Sequence, residues 1–163
     1  MTSVNKYAQF TTTDFDNFDC LKLSKGIWLL ILFVLRAYLI WLLSVTNMND
    51  RISVIQWIYP NPSFFYLSLF SGIFAFWAVI LICLRRPNAG HWVRSQWKKI
   101  RLILLFSLIF DFSMNFFSYF YWHFHTPIWL IANGAIIILF TWYLFTSNRV
   151  KINRDEFPES LPE

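Results

Sequence analysis

The stretch GIWLLILFVLRAYLIWLLSVT, Gly26 to Thr46, carries a single charge, Arg36, inside an otherwise apolar run. At 1.5 Å per residue, about 20 such residues form a helix long enough to cross roughly 30 Å of hydrocarbon. Three more runs of this kind follow, Phe64–Leu84, Leu102–Trp122 and Pro127–Ser147. They predict an all-α polytopic membrane protein with four transmembrane helices in a bundle, over about 26–46, 64–84, 102–122 and 127–147. One transmembrane domain, 26–147, then lies between an N-terminal segment, 1–25, and a tail, 148–163.

Composition points the same way. Of 163 residues, 57% are hydrophobic, 21% aromatic and only 14% charged, whereas about a quarter of a soluble domain is charged. The first run is too long for a signal-peptide core, follows a mostly polar segment and has no small-x-small cleavage site after it, so it is expected to be retained. Cys20 and Cys83 are too few for a disulfide framework and support neither a redox nor a metal argument.

Orientation follows from lysine and arginine. Lys6, Lys22 and Lys25 precede the first run; Arg85, Arg86, Arg94, Lys98, Lys99 and Arg101 lie between the second and third; Arg149, Lys151 and Arg154 follow the fourth. In a four-span chain these regions share one side, and of the 14 basic residues only Arg36 and Arg51 fall elsewhere. That bias predicts both termini in the cytoplasm. The net charge of +5 is then accounted for by topology and anionic lipid, with no nucleic-acid partner.

The connections carry their own signals. Asn61-Pro62 and Thr126-Pro127 place a capping residue before proline, the pattern of a helix start. Residues 51–58 predict a short helix on the outer surface, with an irregular loop as the alternative. Val93, Trp97, Ile100 and Leu104 recur at helical spacing, and Arg94, Lys98 and Arg101 follow one position on. This pattern predicts that the third helix extends continuously into the cytoplasm from about His91. Its basic stripe, Arg94, Lys98, Lys99 and Arg101, is the candidate contact for anionic lipid, against ordinary anchoring of a helix end. The ends, about 1–12 and 155–163, read as mobile, unless Phe10, Phe15, Phe18 and Leu21 press the first of them onto the inner surface.

Arg36 is ten residues from Gly26, so roughly 15 Å into the membrane on a straight helix. Asp111 is equally far from Arg101 in the third run, which travels the same way. A lone charge at that depth costs a few kcal/mol, which favours an interior position and a partner. Arg36 is therefore expected to face Asp111 as an intramembrane ion pair. Ser107, Asp111, Asn115 and Ser118 share one face of the third helix, and Tyr38, Ser71 and Asn133 fall near the same level. They predict a polar core layer contributed by all four helices. Such a layer is either a structural clasp or a small polar cavity that binds or passes a proton, ion or small solute.

Other chemistry is sparse. His123 and His125 alternate and lack a carboxylate or cysteine shell, so they read as part of an aromatic belt rather than a metal site. Three histidines split across the bilayer and four scattered glycines offer neither a nucleophile–base cluster nor a phosphate-cradling loop. No catalytic residue, metal or cofactor is expected.

Asp14-Phe15-Asp16, then Leu21-Lys22, Trp28 and Arg36-Ala37, together with Tyr59-Pro60 leading to Phe64-Phe65 and Gly72, resemble the opening half of the YfeZ-like inner-membrane proteins of gammaproteobacteria. The resemblance covers about residues 14–147. It implies a multi-pass protein of the bacterial cytoplasmic membrane in a family of unknown function, and it supplies no catalytic or ligand residues. The chain is thus expected to be a non-enzymatic accessory or assembly component that meets a membrane-protein partner or further copies of itself through lipid-facing surfaces. The alternative is a small transporter or proton/ion pathway built around Arg36, Asp111, Asn115 and Asn133.

Overall fold

The computed structural model describes residues 7, 9–46, 53–59, 61–122 and 126–159. Outside them lie the start of the outer helix expected at 51–58, His123 and His125, and the two chain ends. Within them the fold is all-α. Helices α1 (Lys25–Val34) and α2 (Arg36–Thr46) occupy the first apolar run, α3 (Ser53–Ile58) is the short helix of the following connection, and α4 (Pro62–Ser71) with α5 (Ile73–Cys83) occupy the second. Helix α6 (His91–Trp97) precedes the third run, α7 (Ile100–Trp122); α8 (Pro127–Thr146) and α9 (Asn148–Asp155) complete the chain.

Three segments are long and apolar enough to cross a membrane, 62–83, 100–121 and 127–146, or four if α1 and α2 count together. The expected straight first helix is instead bent by 69°. The cause is local. Leu35 sits at φ −82°, ψ 11°, outside the helical well, and the Arg36 guanidinium folds back to donate to the Phe33 carbonyl at 2.9 Å. The second run breaks at Gly72, where a Cβ would stand 2.7 Å from Tyr38 Cε2 and 3.3 Å from Leu35 Cδ2. A larger residue there would have to displace the Tyr38 ring, so glycine lets the bent first span approach α4–α5 closely.

Asn61 and Thr126 cap α4 and α8 through their side chains, with Pro62 and Pro127 in the first turn, as the sequence pattern requires. The expected continuous extension of the third helix is corrected: α6 is a separate helix of 7 residues, and the chain turns at Lys98 and Lys99. Trp97 explains the turn. Its buried indole N–H donates to the carbonyls of Asn153 at 2.9 Å and Glu156 at 3.1 Å, which folds α6 onto the chain's C-terminal part.

That C-terminal part is docked, contrary to the expectation of a loose end through Asp155 onward. Asn153 is buried, accepts from the Ser24 amide at 3.1 Å and donates to the Leu21 carbonyl at 2.7 Å. Glu156 takes the Tyr7 hydroxyl at 2.5 Å and the Leu21 amide at 2.8 Å. The N-terminal segment, α6 and α9 therefore meet at one end of the bundle. Packing is layered. At that end Ile27, Leu30 and Val34 pack with Ala78, Leu81, Leu104 and Leu108; toward the other, Ala37, Tyr59, Phe64 and Phe65 form a second cluster. Along α1–α2, α4–α5 and α7 alike, polar residues lie next to this core.

Candidate functional site

The polar layer begins with Arg36, the first residue of α2, and Asp111, in the middle of α7. Arg36 Nη2 lies 3.1 Å from Asp111 Oδ2 and 3.3 Å from Oδ1. Asp111 is 1% exposed and Arg36 20% exposed, so the carboxylate is enclosed while the guanidinium keeps an open side. Ser71 Oγ, at the last turn of α4, is 2.9 Å from Asp111 Oδ1. Asn115, one turn along α7, donates through Nδ2 to the Asp111 carbonyl at 2.7 Å and to Oδ2 at 3.3 Å. Asp111 thus ties α2, α4 and α7 together, each carboxylate oxygen having two donors close by. Charge-assisted bonds of this kind are what a buried carboxylate requires.

Tyr59, in the connection between α3 and α4, also belongs to this cluster. It is buried, and burial pushes its hydroxyl up, while the Arg36 charge and hydrogen bonding to Ser68 pull it down. No polar periodicity marks it; its signal in the sequence is its place in the Tyr59-Pro60 step of the family resemblance. Tyr38 is separate from the ion pair: its ring stacks on Phe76 at 6.0 Å and covers Gly72.

The remaining polar residues are buried and leave hydrogen-bonding capacity unused. Among the described residues, Ser107 Oγ, Ser118 Oγ, Asn115 Oδ1 and Asn133 Nδ2 have no partner. Such orphans are uncommon, because each forfeits hydration without replacement. Asn133 lines a cavity of about 60 Å³ with Phe33, Arg36, Trp129, Ala132 and Ile136, on the open side of the guanidinium.

The basic stripe divides. Arg94 donates to the Pro87 carbonyl at 2.8 Å and covers the Phe157 ring. Arg101 donates to the Leu144 carbonyl at 2.6 Å and covers Phe145. Both guanidinium groups thus have structural contacts, while Lys98 and Lys99 are exposed at the turn. Nearby, Arg85 lies over the Trp97 ring at 4.7 Å, and burial lowers its affinity for the proton. Burial pushes the Cys20 thiol up. Among the described residues no group of three or more His, Cys, Asp or Glu could hold a metal ion.

No curated protein and no solved structure resembles the chain. A family described as a protein of unknown function, DUF2919, matches residues 10–154, which span the broken first helix, the ion pair, the cavity and the docked C-terminal helix. The chain therefore belongs to the DUF2919 family.

Proposed function

We propose that this is a non-enzymatic protein of the bacterial cytoplasmic membrane, akin to the YfeZ-like proteins, that serves as an accessory or assembly component of a membrane complex. It crosses four times, with α1 and α2 acting as one bent span and both ends in the cytoplasm. The meeting of the N-terminal segment, α6 and α9 at one end supports that even count, and the lysine and arginine bias supports the orientation. Lys98 and Lys99 face the anionic inner leaflet.

The observation that carries this reading is the saturation of Asp111. Its oxygens are held by Arg36, Ser71 and Asn115, so the intramembrane pair is a clasp that sets which helices are neighbours. Around that fixed frame, α8 is the span with the barest surface: 17% of its most apolar window is buried, against 39% for 62–83. Ile138, Leu139 and Trp142 form its outer face, which is the surface for a partner span. A photo-cross-linking residue placed at Ile138 or Trp142 is expected to capture one discrete protein at a fixed mass. Adducts with lipid alone would contradict the reading.

A second reading, a small transporter or proton/ion pathway, has an observation of its own. The broken first span meets the turn at Gly72 beside a buried ion pair and a cavity with an unpartnered amide, and discontinuous helices at membrane depth are a recurring way to build solute sites. Flux into vesicles that responds to pH and is lost on filling the cavity would favour it over the clasp alone.

A further inference from the structure

The cavity beside Arg36 presents polar atoms of one kind. Arg36 faces it with a guanidinium that donates to the Phe33 carbonyl through Nη1 and to the Asp111 carboxylate through Nη2, is hydrogen-bonded to Tyr59 and lies over the Phe33 ring at 4.8 Å. Asn133, 4% exposed, contributes an amide Nδ2 with no partner. Phe33, Ala132 and Ile136 supply apolar wall. Helix α2 starts at Arg36, so its positive end is at the same place. A guanidinium and an amide N–H select a ligand that accepts hydrogen bonds, and about 60 Å³ admits a small one, since a water takes roughly 30 Å³.

Charge then constrains the occupant. With Asp111 ionised, Arg36 is already neutralised, and a second anion in a low-dielectric interior would be uncompensated. Adding a proton to Asp111 removes that obstacle and releases Arg36 N–H groups toward the cavity. A protonated Asp111 needs an acceptor for its O–H, and one is at hand. Ser71 Oγ lies 2.9 Å from Asp111 Oδ1 and 2.9 Å from the Ser68 carbonyl. With its proton directed to that carbonyl, the Ser71 hydroxyl turns from a donor serving the carboxylate into an acceptor serving the acid. The titratable groups facing Asp111 are Arg36 from α2 and Tyr59 from the α3–α4 connection; Ser71 of α4 and Asn115 of α7 face it with neutral groups.

We propose that this cavity binds a small monovalent anion of halide size between Arg36 and Asn133, and that capture is coupled to uptake of a proton by Asp111. The inference rests on the second reading above and names its solute class. The proton comes from solution to Asp111 Oδ1, the guanidinium exchanges a carboxylate for the anion, and the net charge of the site is unchanged. Because the bound state holds one more proton, affinity rises as pH falls, by about tenfold per pH unit for one coupled proton.

The test uses the full chain in detergent, lightly buffered, with sodium bromide added against sodium gluconate at equal ionic strength. Bromide is expected to take up about one proton per chain at saturation, with tighter binding at lower pH. Asp111→Asn, which keeps the side-chain shape without a titrating proton, is expected to bind bromide with no uptake. Asn133→Leu, with an unchanged or raised melting point, is expected to lose both. No proton uptake by the wild type, or equal uptake by Asp111→Asn, would overturn the proposal and leave the cavity to water. Proton-linked bromide binding without flux in vesicles would uphold the site and contradict the pathway reading instead.

Discussion

At the level of single residues, Asp111 is a tightly constrained group. It is enclosed, and its partners come from three helices. Breaking a buried pair by removing one partner costs about 3–5 kcal/mol, so Arg36→Asp and Asp111→Arg should each sharply reduce accumulation in membranes. The double exchange should restore most of it, and a quantitative blot of the membrane fraction reads the outcome. No restoration would argue against direct pairing. Ser71→Ala removes one donor and should destabilise by about 1 kcal/mol, measured as a lower melting point in detergent. The facing of Arg36 and Asp111 was legible because apolar runs fix depth and a charge at depth demands a partner. Tyr59 and its neighbour Ser68 were not legible, since a residue in a connection has no periodicity to place it.

Among the elements, the breaks matter more than the helices. Proline-led caps and apolar length made the start of α4, the end of α5 and both ends of α7 and α8 readable to within a few residues. The bend at Leu35 was invisible, since no glycine or proline marks it; the side chain that stabilises it is the same arginine that forms the ion pair. In the sequence Gly72 stands out only within the family resemblance, yet its work is steric. Gly72→Ala should lower the melting point by forcing a methyl against the Tyr38 ring, about 1–3 kcal/mol for overpacking of this kind, and Tyr38→Leu should relieve part of the loss. An additive double variant would place the constraint elsewhere.

The N-terminal segment gives a prediction in pH. The Thr11 amide and the Arg149 guanidinium, 3.0 Å away, hold the Asp14 carboxyl below its ordinary range. The folded group binds its proton less readily than the unfolded one, so the contribution is present above the ordinary carboxylate pKa. It is lost as pH falls through the lower, folded value. Proteolysis within the first 20 residues should therefore speed up under acid, and Asp14→Asn should show the faster rate at neutral pH. Equal rates for the two proteins across that range would contradict the contact. The docking of Asn153 and Glu156 was unreadable beforehand, because a charged tail of low hydropathy looks like a solvated end until its hydrogen bonds are seen.

For the whole molecule, charge asymmetry and the joined ends are the two observations behind the proposed topology. Cysteine introduced at Trp57, 85% exposed on α3, in a background where Cys20 and Cys83 are serine, should react with a membrane-impermeant maleimide from outside intact cells. Cysteine at Lys98 should react only after the membrane is opened. The reverse pattern would invert the orientation. The broad apolar faces that composition announced remain on the surface, most of all on α8, and they are where an accessory protein would be recognised. Native mass spectrometry of the tagged chain, expressed at its natural level and released from its own membranes in mild detergent, tests that claim directly. The account predicts a foreign membrane subunit at fixed stoichiometry; the chain alone, or only copies of itself, would contradict it.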